Sequence, residues 1–221
     1  MSEQDNGAAV VVRLGTPADA AEAAALHAEL ISEGFLAQLG PRFLRHLYRC
    51  VARGPDSFLL LARAAGPVDG DGGRDSGRDG GFEGGGVAGF LAGALDLGAL
   101  YRRFAWRDGP VAAVSSLPQL LGALPRVWET VRHGAGGTGS DPAAELLSIA
   151  VAPRWRGRHV GALLVARFVD EIGRRGVVGA QVVVGADNAP AVALYGRAGF
   201  VADRTFELHR GTQSLLMRRP P

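Results

Sequence analysis

The sequence contains no lysine. All 24 of its basic residues are arginine, and with the heavy use of Ala and Gly this reads as compositional bias rather than as a function. It has one cysteine, Cys50, which excludes an internal disulfide. That residue sits in "FLRHLYRCV" among helix-spaced apolar residues and reads as a small buried hydrophobe. Net charge is small as well. A formal net charge of +2 argues against a dedicated nucleic-acid binder. No apolar run approaches the ~20 residues of a membrane span, since the longest, Val87 to Leu100, is broken by Asp96. The polar, acidic start "MSEQDNGAA" lacks the features of a signal peptide. The five histidines show no metal-ligand spacing, no metal is expected, and no Ser-His-Asp arrangement can be argued. A cytoplasmic, reducing setting follows as the default.

Hydrophobic residues make up 47% of the 221, enough for a packed core. Residues 1–9 read as a disordered leader and 10–221 as a single domain. "VVVRLGT" is a strand. Thr16-Pro17 opens a helix over about 18–31, with Thr as cap, Pro at its favoured first position and acids in the first turns. "LGPRFLRHLYRCVAR" is a second helix, with Phe43, Leu44, Leu47 and Val51 at helical spacing. "SFLLLARAA" and "VAGFLAGALD" are strands joined across residues 66–86, where 10 of 21 residues are Gly. Such a segment buries too little to offset its ordering entropy, so it reads as a flexible hairpin loop, either a tolerated insertion or a lid.

Residues 97–133 read as a two-helix insertion. Tyr101, Phe104 and Trp106 interleave there with Arg102, Arg103 and Arg107. The cluster fits core packing, one wall of an acceptor pocket or, least well, base stacking. From Glu145 onward the pattern is strand, loop, helix, strand, helix and a final hairpin around 209–211.

The loop "PRWRGRHVG" joins a strand to a long helix. A helix N-terminus offers unpaired N–H groups and partial positive charge. Gly157 and Gly161 let backbone approach a ligand, and Arg154, Arg156 and Arg158 add charge. The combination suits a phosphate or pyrophosphate. It is neither a Walker loop nor a dinucleotide fingerprint.

The stretch resembles the acyl-CoA-binding motif of the GNAT acetyltransferase superfamily, [Q/R]-x-x-G-x-[G/A]. Arg156 stands at its first position, Gly161 at its last, and His159 where the central Gly belongs. If that position needs a positive φ, His is costly there; alternatively its imidazole reaches a phosphate. Asn188, Ala191, Leu194, Tyr195, Gly199 and Phe200 match the superfamily's second motif, N-x-x-A-x-x-L-Y-x-x-x-G-F, at every position.

This resemblance implies an α/β (α+β) GNAT fold. It would have a mixed central sheet of about seven strands, the parallel fourth and fifth splayed apart, flanked by helices, with the insertion before the fourth. It implies acetyl-CoA as cosubstrate. The pantetheine arm would pair with Ile149, Ala150 and Val151, and the pyrophosphate would rest on Arg156, Gly157, Arg158, His159, Val160, Gly161 and Ala162. Asn188 would hold CoA or cap a helix. Tyr195 takes the family's general-acid position, or is an aromatic packed on the sheet. Glu145 takes the position of a general base in one branch, or positions a water. The implied activity is acetyl transfer to the amine of a small molecule or peptide, without nucleic-acid or membrane partners, in a monomer or a homodimer paired through an exposed final strand. The other reading is a non-catalytic acyl-CoA-binding regulatory domain, which the departure at His159 would suit.

Overall fold

A computed structural model of the chain describes residues 9–31, 40–65, 86–107, 143–209 and 212–221. Seven strands form one sheet, ordered β1-β2-β3-β4-β5-β7-β6. They are β1 (Val10–Leu14), β2 (Ser57–Ala64), β3 (Val87–Ala94), β4 (Ala144–Val151), β5 (Ala180–Gly185), β6 (Val201–His209) and β7 (Thr212–Arg219). All neighbours are antiparallel except β4 and β5. The final strand β7 lies between β5 and β6, so the edge on that side is β6. This corrects the expectation that the last strand is free to pair two copies: the closing hairpin folds back, and β7 fills the slot beside β5.

Helices cover both faces. α1 (Ala20–Leu30) and α2 (Gly40–Arg53) lie on one, with α3 (Leu97–Arg107) against α2. α4 (Val160–Arg174) and α5 (Ala189–Arg197) lie on the other. β2 shows why a two-sided cover is needed: six of its eight residues, Ser57 to Ala62, are buried without alternation. α2 turns Phe43, Leu44, Leu47, Tyr48 and Val51 inward, and α4 turns Val160, Leu164, Val165, Phe168 and Ile172 inward.

Buried charges anchor the frame. The Asp19 carboxylate accepts from Thr16 N at 2.7 Å and Thr16 Oγ1 at 2.8 Å, closing the turn (Pro17–Asp19) that begins α1. It also pairs with Arg13 and Arg63. Buried Glu171 gathers Arg174 and Arg175, and Arg175 then donates to Pro55 O at 3.0 Å. The end of α4 is thereby tied to the turn before β2.

Of the 97–133 insertion only α3 lies within the described residues. Its aromatics part company. Phe104 is buried edge-on against Phe43, with ring centroids 5.3 Å apart. Trp106 is exposed. Arg103 donates to Asp56 and Ser57 at the head of β2, which fixes the roll of the helix. Residues 1–8 of the expected leader (1–9), most of the Gly-rich loop (66–85) and the expected second helix of the insertion lie outside the described residues. β2 and β3 do pair antiparallel across that loop.

Candidate functional site: the gap between β4 and β5

β4 changes character at Leu147. Gly93 faces Leu146 and Ala92 faces Ser148, so Leu147 has no partner on β3 and forms a bulge. Pairing with β5 stops at the same place. Only Ala144, Glu145 and Leu146 pair with Ala180, Gln181 and Val182, while β5 continues alongside β7. The rest of β4 is held by β3 alone, and a gap opens.

The backbone of that open half has a direction. Ala152 N donates to Ala88 O at 2.9 Å, on the β3 side. Alternation then turns the N–H and C=O groups of Ala150 toward β3 and those of Ile149 and Val151 into the gap. Two of the three residues expected to hold an extended arm are thus offered to it. Ala150 turns its own backbone groups to the β3 ladder.

The loop after β4 is a short helical turn (Pro153–Trp155) followed by the start of α4. Gly157 has φ 76°. His159 has φ 59° and ψ 10°, and it is the one non-glycine with positive φ among the described residues. The missing central glycine is therefore a real departure, since this turn needs the left-handed region. His159, Arg156, Gly157 and Arg158 are exposed, whereas the Val160 side chain is buried and offers only its amide. Gly161 is small for a different reason: an added Cβ would lie 3.3 Å from Leu194 on α5. It lets α4 approach α5 closely, and Ala162 is exposed beside it. The arginines diverge. Arg154 lies against Gly86 at the head of β3, Arg158 stacks over Trp155 at 5.5 Å, and Arg156 Nε reaches Val151 O at 3.4 Å.

α5 begins where Asn188 Oδ1 accepts from Ala191 N at 3.1 Å, so Asn188 caps the helix. Two turns on, Tyr195 is buried beside Phe200. Burial raises its hydroxyl well above the ordinary tyrosine range. Glu145 leaves β4 on the other face of the sheet. Burial pushes its carboxyl up, against the opposing pull of Gln181 Nε2, which donates to it at 3.1 Å. Tyr101 on α3 is pushed up to about 12 by burial and, second, by the charge of Glu145. Tyr195 and Glu145 thus lie on opposite faces of the sheet. Gln181 and Tyr101, which sequence reasoning missed as partners of Glu145, join it from β5 and α3. No helix among the described residues is long and apolar enough to cross a membrane, and no three potential metal ligands cluster among them.

Residues 103–200 match the family model described as "Acetyltransferase (GNAT) family". A mycothiol acetyltransferase of Brachybacterium faecium is 35% identical over 118 residues, 52% of this chain and 34% of the relative. A ribosomal protein bS18 alanine N-acetyltransferase of Salmonella typhimurium is 44% identical over 57 residues, 26% of this chain and 38% of the relative. The chain thus spans well under half the length of these curated relatives. Among solved structures, the ribosomal-protein-S18-alanine N-acetyltransferase of Escherichia coli superposes with TM-score 0.56 at 15% identity, over 96% of this chain and 94% of that one. Arabidopsis thaliana NAA60 in complex with acetyl-CoA gives 0.56 at 18% identity, over 95% and 97%. At such identities the likeness is one of fold.

Proposed function

Since residues 103–200 match the GNAT acetyltransferase family model and the fold is that of GNAT acetyltransferases, we propose that the chain is an acyl-CoA-dependent N-acetyltransferase of this family, moving an acetyl group from acetyl-CoA to an amine of a small molecule or peptide. The observation that carries this is the open half of β4. An unpaired strand edge runs straight into a turn of left-handed residues at the head of a helix. The edge suits an extended amide-bearing arm, and the turn suits the pyrophosphate at its end. Relatives named as acetyltransferases, one of them acting on a ribosomal protein's alanine, support the reading.

In this mechanism Ile149 and Val151 hold the pantetheine arm through backbone groups. The amides from Arg156 to Ala162 and the guanidiniums of Arg156 and Arg158 receive the pyrophosphate. Asn188 acts indirectly, by capping α5 so that Tyr195 faces the gap. The neutral amine nitrogen attacks the thioester carbonyl carbon, the N–C bond forms and the C–S bond breaks. The amine's surplus proton passes to Glu145, directly or through a water. A carboxyl raised by burial is a stronger base than one in water. The departing thiolate receives a proton from the Tyr195 hydroxyl. Free tyrosine (pKa ~10) already exceeds a free thiol (~8.5), and burial raises both, so the phenol stays protonated until the sulfur needs it. The active unit is one domain over 10–221, and a reducing cytoplasmic setting keeps Cys50 a thiol.

Isothermal titration with acetyl-CoA tests the reading, followed by thiol release in the presence of an amine panel. Wild type should bind, and Arg158→Glu should weaken binding by reversing charge at an exposed position. Tyr195→Phe should bind as wild type does and lose ~10²–10⁴-fold in rate. Binding with no thiol release from any amine would favour the regulatory-domain reading. No binding would overturn both.

A further inference from the structure

A chain of polar side chains crosses the otherwise apolar layer under α1 and α2. His27 Nδ1 lies 2.6 Å from Tyr48 Oη, and Tyr48 Oη lies 2.9 Å from Ser148 Oγ. His27 and Tyr48 are 2% and 1% exposed. Ser148 is half-buried and is the chain's accessible end. It stands in the open half of β4, immediately past the bulge, on the face that Glu145 also occupies. None of the steps proposed above uses these groups.

The chain has a direction. Burial brings His27 down to about 4, so its ring is neutral and carries one proton. Either Nδ1–H donates to the phenol or the phenol donates to Nδ1. A separation of 2.6 Å is short for N–H···O, ordinarily ~2.7–3.2 Å, and lies within the ~2.5–3.0 Å of an O–H donor. That separation favours the phenol as donor; the ring proton then sits on Nε2, which is buried without a hydrogen-bond partner among the described residues. With its own proton given to His27, Tyr48 Oη can only accept from Ser148. The Ser148 proton then points inward, and its lone pairs face the open side.

A free hydroxyl rotates to serve donors and acceptors alike. This one is fixed. We propose that Ser148 is an acceptor-binding residue: its oxygen, with its proton held by Tyr48 and His27, accepts a hydrogen bond from an N–H of a primary amine bound beside Glu145. Tyr48 and His27 are positioning residues. The arrangement selects for molecules that present an N–H there and against those that present only lone pairs. Glu145 and Ser148 are three residues apart on one face, within roughly 10 Å at ~3.3 Å per residue, and the bulge shortens that span. One small amino group with a bridging water spans a separation of that order.

The inference rests on the transferase reading, and two measurements separate their failures. Nitrogen-15 NMR of the full chain, without any ligand, reports the His27 tautomer. A neutral Nε2–H ring is expected, and its Nδ1 shift should move in Tyr48→Phe. An Nδ1–H ring would overturn the proposal. Ser148→Ala should raise KM for the best amine of the thiol-release panel by about 10-fold or more, change kcat less, and leave acetyl-CoA affinity unaltered. Ser148→Thr should restore most of the loss, which a purely structural role does not predict. An unchanged KM in a working Ser148→Ala enzyme overturns this inference alone. A wild-type chain that does not bind acetyl-CoA overturns the transferase reading beneath it.

Discussion

Leu146 and Ile149 sit on the same strand, three residues apart, and live under different rules. Leu146 has β3 on one side and β5 on the other, and its backbone belongs to the sheet. Ile149 has β3 alone, and its backbone faces a gap. Side-chain alternation differs too. Before the bulge Ala144 and Leu146 pack toward α4; after it Ile149 and Val151 do. One extra residue at Leu147 therefore does two jobs. It places Glu145 and Ser148 on the same face despite their odd spacing, and it coincides with the end of pairing to β5. The closed half provides stability, and the open half provides unpaired donors and acceptors that a ligand can satisfy. A sheet interior rarely leaves such groups bare without a reason.

The sharpest way to break this comparison is to place proline at two adjacent residues of the open half. Ala150→Pro removes an N–H that alternation assigns to the β3 ladder. It should destabilise the chain by about 3 kcal/mol or more, or prevent folding. Val151→Pro removes an N–H that faces the gap. It should leave the melting temperature nearly unchanged and weaken acetyl-CoA binding by roughly 2- to 10-fold, one hydrogen bond's worth. Thermal melts and titration calorimetry on both variants decide it. Equal destabilisation would mean that the second edge of β4 is not free.

A single sequence showed some of this and hid the rest, for reasons of range. Motif positions are local. Arg156 to Gly161 and Asn188 to Phe200 are contiguous, so the loop, the cap at Asn188 and the buried Tyr195 were legible. The departure at His159 was legible too, because one missing glycine predicts one strained φ. The bulge was not, since it depends on how β4 registers against β3, a strand more than 50 residues earlier in the chain. The bond between Tyr48 and Ser148 spans 100 residues and leaves no mark in either segment. Tyr101 read as one member of an aromatic and basic cluster. Only the anchoring of α3 by Arg103 and Phe104 separates it from Trp106 and turns it to Glu145. The order of the last two strands also needed the fold, because a hairpin can close with either strand inward.

Glu145 sharpens the comparison from the closed side. It is the ionisable residue of the paired half, and burial raises its pKa. A carboxyl whose folded pKa exceeds its unfolded value (~4.3) opposes folding once the pH rises above that value. The cost grows until the folded pKa is passed and then levels off. Glu145→Gln keeps the shape and removes the charge. The variant should therefore melt higher than wild type at pH 7, and the difference should vanish near pH 4. Its turnover should fall by ~10²-fold or more if the carboxylate takes the amine's proton. A variant less stable at pH 7 would mean that the charge is compensated by partners beyond Gln181.

His159 gives the smallest expected effect and the cleanest division between backbone and side chain. An L-residue in the left-handed region costs about 1–2 kcal/mol, and a glycine there gives back roughly 0.5–1 kcal/mol in unfolded-state entropy. His159→Gly should thus stabilise the chain by about 0.5–1 kcal/mol, a rise of a few degrees in Tm for a chain of this size. The histidine side chain is exposed, and the geometry the loop needs is carried by φ 59° rather than by the ring. Acetyl-CoA affinity should accordingly stay the same. If it falls ~10-fold while stability rises, the imidazole is itself a phosphate ligand, and the position has exchanged backbone ease for a side-chain contact. If stability falls, the left-handed turn is held by contacts of the ring that outweigh its strain.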